Sequence, residues 1–150
     1  MTIAVDATTR VAALQETLVE LIDLSLQAKQ YHWTVTGEAF RSVHLELDEI
    51  TDQVRVWYDD VAERLATIGV APDGRVGTIA ARTPLPAIGE GWHGDADAVR
   101  AMRDRIVDVG ARIERRAAEI GEIDLVSQGL LIEVAAGLEK QAWMLRVQVR

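Results

Sequence analysis

All three prolines of this 150-residue chain, Pro72, Pro84 and Pro86, fall in one 15-residue window, and six of its eleven glycines lie between Gly69 and Gly94. Proline removes a helical donor and clashes with the preceding turn, and each internal glycine costs a helix about 1 kcal/mol. Long helices are therefore confined to the two flanks of that window. On the N-terminal flank Val11, Leu14, Leu18, Leu21, Ser25, Ala28, His32 and Val35 step by three and four, the spacing of one helix face. A break at Thr36-Gly37 separates them from Val43, Leu47, Ile50, Val54, Trp57, Val61, Leu65 and Ile68, a second such face that runs up to Gly69, a residue suited to closing a helix. On the C-terminal flank Asp95 can cap a helix carrying Val99, Met102, Ile106, Val109, Ile113, Ala117 and Ile120. Gly121 ends it, and Ser127 can open a last helix with Leu131, Val134, Leu138, Leu145 and Val149. No comparable stretch alternates with period two. Segment 76–82 predicts a short helix inside the linker.

Four long helices joined by a long central crossover give an all-α fold. The expected form is a four-helix bundle of ferritin-like connectivity, not the up-down type, with the short helix in the crossover. The length fits a single domain, residues 1–150. There are no cysteines, which excludes disulfide scaffolds, thiolate metal sites and a cysteine nucleophile, and suits a reducing cytoplasm. No apolar run approaches the ~20 residues that cross a bilayer, and the N-terminus has no signal-peptide pattern. The formal charge is −8, from 24 acids against 16 bases. Such a chain repels nucleic acid and anionic membrane and attracts cations.

The second helix carries the most chemistry. On a helical wheel its apolar stripe takes one arc, while His44, Asp48, Asp52, Asp59 and Glu63 share another arc of about 100°. Glu46, Glu49 and Asp60 form a third, polar strip. Imidazole nitrogen with carboxylate oxygen is a ligand set for iron, manganese or zinc. Taken singly, each acid also fits a solvated face and His44 a capping role, but His32 lies just across the Gly37 break. His44 and Glu63 stand 19 residues apart, about 28 Å along a straight helix. If both ends of the stripe bind one metal, the site must join two chains, and a twofold axis makes that pairing twice. None of the expected long helices carries the Glu-x-x-His pair that bundle di-iron sites draw from one chain.

The runs KQYHWTVTGEAFRSVHLELDEI, DDVAERLATIGVAPDG and LEKQAWMLR resemble the Dps family of ferritin-like mini-cages, over nearly the whole chain. The most specific element is His, eleven residues, His, then Asp at +4, Asp at +15 and Glu at +19. The resemblance implies a homododecamer that oxidises Fe(II), preferably with hydrogen peroxide, and stores Fe(III) mineral inside, protecting against oxidative stress. It implies ferroxidase ligands His32, His44 and Asp48 from one subunit, with Asp59 and Glu63 from its twofold mate. Trp33 would sit beside the iron, and as plain structure it reads equally as an interface aromatic. Glu46, Glu49 and Asp60 are the expected mineral-nucleating acids. Family members often carry a pore acid two residues after the Ser/Thr that opens the last helix. Here that place is Gly129, which leaves Glu122 and Asp124 as the candidate pore acids.

Other residues have plainer readings. Trp57 is expected in the core, Trp143 in packing, and His93 in a loop without a ligand role. Lys29 and Lys140 are the only lysines, and residues 1–9 carry no basic side chain, so DNA binding is not expected. Two other functions compete with a ferroxidase: a DNA-condensing protein with minor ferroxidase activity, and a cage that buffers zinc or manganese with little catalysis.

Overall fold

Each helical stripe read from the sequence buries its apolar face, and together they make one bundle. The computed structural model describes residues 2–149, with side chains from residue 7 onward. Helix α1 spans Thr2–Thr34, α2 Phe40–Thr67, α3 Val76–Arg82, α4 Asp95–Ile120 and α5 Leu125–Arg146. Helices α1 and α2 pack as one pair and α4 and α5 as the other. The pairs meet along α1 against α4, with further packing of α2 on α5 and α3 on α1. This is the ferritin-like connectivity, with α3 inside the crossover.

On α2, Val43, Leu47, Ile50, Val54, Trp57, Val61 and Leu65 are all buried. Its end closes as a Schellman motif: Gly69 has φ +84°, Gly69 N–H bonds Ala66 O at 3.0 Å and Val70 N–H bonds Leu65 O at 2.9 Å. Trp57 is 6% exposed and lies on Gly137 of α5, where a Cβ would run into the indole ring. Trp143, expected in packing, is 53% exposed. Its place in the last helix puts it on the face that this chain leaves uncovered.

Two helix starts differ from the sequence reading. The last helix opens at Leu125, not Ser127, because Asp124 takes the extended N-cap conformation and accepts from Val126 N–H and Ser127 N–H, each at 3.1 Å. Asp is among the strongest N-caps, and Ser127 instead donates its hydroxyl to Asp124 at 2.7 Å. The N-cap of α4 is Gly94, and Asp95 is the first helical residue. Its carboxylate still accepts from Ala96 N–H at 2.7 Å, but it also reaches Ala39 N–H at 2.7 Å, across the fold.

The crossover is held by a buried cation. Arg105 donates to Gln27 Oε1 at 2.5 Å and to the carbonyls of Ala101 at 3.0 Å, Pro86 at 3.1 Å and Ala87 at 3.4 Å. Its guanidinium lies 5.7 Å from the centre of the Tyr31 ring. A second ionic joint ties α1 to α4, where buried Glu20 accepts from Arg112 at 2.8 Å and from Arg116 at 2.5 Å. Past Pro86 the chain returns to a two-residue parallel bridge between β1 (Val35–Thr36) and β2 (His93–Gly94). That bridge sits directly after His32 and so fixes where the α1–α2 turn lies.

Candidate metal centre

His32 lies in the last turn of α1 and His44 one turn into α2, and the turn between the helices folds the two rings face to face. Their centroids are 3.7 Å apart and their planes 17° from parallel. His32 Nδ1–H donates to the carbonyl of His44, and His44 Nδ1–H donates to the carbonyl of His32, each at 2.7 Å. A carbonyl oxygen can only accept, so each Nδ1 carries the proton. In the neutral ring this leaves Nε2 with its lone pair, the form in which imidazole ligates a metal, and the backbone bond fixes the ring's aim. His32 is 9% exposed. Phe40 covers His44 from one side, with centroids 5.1 Å apart.

Asp48 follows His44 by one turn of α2 and stands half-exposed on the same face. Lys29, three residues before His32, forms an ion pair with its carboxylate. This hydrogen bond holds the Asp48 carboxyl below the usual carboxylate range, against the opposing pull of burial. Lys29 is the functional neighbour that sequence reading missed. Its one signal was the i, i+3 spacing to His32, which places both on one face of α1.

Asp59 and Glu63 are exposed on α2, about 22 and 28 Å beyond His44 along the helix. Among the described residues, no three His, Asp or Glu side chains lie close enough to hold a metal ion within one chain. The structure brings the His32 and His44 rings together, sets Asp48 one helical turn on from His44 in an ion pair with Lys29, and leaves Asp59 and Glu63 apart from them. Trp33 points outward, 62% exposed. Of the strip expected to nucleate mineral, Glu49 and Asp60 are exposed, while Glu46 is half-buried and accepts from Gln148 at 2.6 Å. Burial raises the Glu46 carboxyl above its ordinary range.

The two candidate pore acids part company. Glu122 is exposed. The Asp124 side chain is only 7% exposed and is committed to the α5 cap, to Arg64 at 2.9 Å and to Arg10 at 3.4 Å. Gly129 stands in open space. His93 bonds Thr34 through Nδ1 at 3.0 Å and meets the Tyr31 ring edge-on at 5.0 Å, a structural role. Glu90 and His93 do have the Glu-x-x-His spacing, but they lie in the non-helical crossover and share no helix face.

Ferritin-like domain proteins match residues 11–150 of the chain as a family. DNA protection during starvation protein 2 of Deinococcus radiodurans is 38% identical over 136 residues, covering 91% of this chain and 56% of the relative. DNA protection during starvation protein of Mycolicibacterium smegmatis is 36% identical over 140 residues, covering 91% of this chain and 74% of the relative. The crystal structure of Dps92 from Deinococcus radiodurans superposes with a TM-score of 0.93 at 37% identity, over 95% of this chain and 86% of that one. The chain belongs to the Dps family. It spans little more than half the length of the first of these relatives. In this Dps protein the His-eleven-His run spans the α1–α2 turn, where the two imidazoles meet. Among its described residues no helix is long and apolar enough to cross a membrane.

Proposed function

We propose that this Dps protein is a cytoplasmic ferroxidase. It binds Fe(II) at a site completed by a second subunit, oxidises it with hydrogen peroxide, and keeps the Fe(III) as mineral inside a dodecameric shell. The observation that carries the reading is the reciprocal bonding of His32 and His44, which leaves the Nε2 lone pair of each ring free, with Asp48 one helical turn on from His44. Two nitrogens and a carboxylate oxygen suit Fe(II), and further carboxylates stabilise Fe(III) over Fe(II). Asp59 and Glu63 of a twofold mate supply them. Large exposed side chains support assembly as well: Trp33 at 62%, Leu26 at 58%, Val56 at 55% and Trp143 at 53%.

Iron here is substrate. Peroxide accepts one electron from each of two Fe(II) ions, its O–O bond breaks, and two protons complete two molecules of water. Taking both electrons at one site avoids release of hydroxyl radical. Trp33, beside His32, stands ready to give up an electron to a stray oxidant. The Fe(III) hydrolyses and nucleates on Glu49, Asp60 and Glu46, and Glu122 draws Fe(II) to the shell.

Stopped-flow oxidation of Fe(II), with peroxide and with dioxygen alone, tests the reading. Rapid oxidation by peroxide is expected, falling at least about 10-fold in His44→Ala. Tight binding of zinc or manganese without Fe(II) turnover would make the protein a metal-buffering cage instead. The relatives' names refer to DNA protection, and a gel shift separates contact from chemistry. A shell of twelve carries a formal charge of about −96, so no shift is expected at about 0.15 M salt without divalent ions. A clear shift there favours the DNA-condensing function.

A further inference from the structure

We propose that Asp95 is a positioning residue for the imidazole pair: its carboxylate sets the α1–α2 turn that brings His32 and His44 face to face. The inference rests on the metal-site reading for its functional consequence, and on geometry alone for its structural one.

The two rings are held by each other's backbone. Each Nδ1–H needs the partner residue's carbonyl at hydrogen-bond distance, so a small rotation of one helix end breaks both bonds together. Everything between them, residues 33–43, must therefore hold its shape. Within it Phe40 N–H bonds the Gly37 carbonyl at 3.2 Å and Ser42 donates its hydroxyl to the Ala39 carbonyl at 2.9 Å, while Ala39 N–H is met from outside the segment. The N-cap of α2 is Ala39, which offers no side-chain cap. Asp95 instead holds the N-cap residue's own N–H from another part of the chain, taking Ala39 N–H on Oδ2 while Oδ1 stays on Ala96 N–H. The turn packs down onto this carboxylate at Gly37. That residue has φ +133°, and a Cβ there would collide with the Asp95 carboxylate. Beside it the β1–β2 bridge pairs Val35 with His93 and Thr36 with Gly94, the residue just before Asp95. Thr36 also donates its hydroxyl to the His93 carbonyl at 3.2 Å. The start of α4 and the turn that carries both imidazoles are thus one joint, and Asp95 is its polar pin.

Three variants divide this pin into its parts. Asp95→Asn keeps one acceptor oxygen, and with it on Ala39 N–H the amide NH2 faces Ala96 N–H. Asp95→Ser keeps an acceptor for Ala96 N–H but falls one atom short of Ala39. Asp95→Ala removes both. The chain has only three histidines, so the ring nitrogens of the metal-free, ¹⁵N-histidine-labelled full chain can be resolved by magic-angle-spinning NMR whatever the particle size. Wild type and Asp95→Asn should show His32 and His44 in one form, Nδ1 protonated and Nε2 bare. In Asp95→Ser and Asp95→Ala both tautomers should appear, and Co(II) binding should weaken by about 10-fold or more. Gly37→Ala should shift the signals in the same direction. Wild-type ring signals in a folded Asp95→Ser or Asp95→Ala protein would overturn the proposal. So would failure of both to fold while Asp95→Asn folds, since Asp95 would then serve the fold and not the turn. Mixed tautomers with unchanged Co(II) affinity would leave Asp95 in its positioning role and count against His32 and His44 as metal ligands.

Discussion

Lys29 and Asp124 show how single side chains set the terms for a cation in this protein. The Lys29 ammonium occupies the Asp48 carboxylate that an incoming metal would use, so binding must displace one positive charge with another. Replacing it by an uncharged chain of similar length, Lys29→Met, frees Asp48 and removes a repulsion. The affinity for Co(II), followed by its visible absorption at pH 7, should rise several-fold. A fall would mean that Lys29 instead holds Asp48 in its ligating rotamer. At Asp124, burial pushes the carboxyl up. Hydrogen bonds from the Ser127 hydroxyl and backbone, with the Arg64 guanidinium, outweigh it and hold the group well below the usual carboxylate range. A depressed folded pKa means that the unfolded chain binds the proton more tightly. The stabilisation is therefore complete above about pH 4 and is lost as pH falls toward the folded value. Asp124→Ala should cost about 3 kcal/mol at pH 7, because it removes a helix cap and strands Arg64 in a largely buried position. Thermal melts between about pH 5 and pH 2 check the sign. Wild type should lose stability in acid more steeply than Asp124→Asn.

Among the elements, the contact of α2 with α5 turns on one missing side chain. Trp57 lies across the bundle onto Gly137, and the indole fills the space where a Cβ would stand. Overpacking a well-filled core typically costs about 1–3 kcal/mol. Gly137→Ala should lower the melting temperature although alanine is the better helix former, and Trp57→Phe should restore part of the loss by opening room above the new methyl. If Gly137→Ala melts at or above the wild-type temperature, helix propensity outweighs packing at this contact. The same principle explains why the α2 stripe was readable and the Gly137 contact was not. A periodic stripe declares which face is buried, but not which residue of another helix will lie against it.

For the molecule as a whole, the proposed site makes assembly a condition of function, because Asp59 and Glu63 stand apart from His44 within one chain. The proposed shell of twelve 16.5 kDa chains would have a mass of about 198 kDa, and native mass measurement should find it. A stable monomer or simple dimer would exclude the shell. Subunit sharing has its own signature. Shells made only of His32→Ala chains, or only of Asp59→Ala chains, lack one ligand at every site and should oxidise Fe(II) slowly. In mixed shells about half of the twofold pairs contain one of each chain, and each such pair has one site missing both ligands and one site intact. Roughly a quarter of all sites, and of the wild-type rate, should return. Mixed shells no faster than either parent would overturn the shared site.

The sequence alone determined the four long helices, the short helix over Val76–Arg82, the faces they bury and the His, Asp and Glu residues along one stripe, because these depend on local periodicity and on where Pro and Gly interrupt it. It also carried the family in its His-eleven-His run. Tertiary structure decided the rest. Nothing near Asp124 in sequence announces that Arg64 and Arg10 will hold it, or that it, not Ser127, will open α5. Lys29 meets Asp48, and Asp95 meets Ala39, only after the helices have packed. The protonated nitrogen of each imidazole follows from a carbonyl twelve residues away. Periodicity is a property of neighbours along the chain, whereas hydrogen bonds and ion pairs between distant residues exist only once the backbone has closed around them.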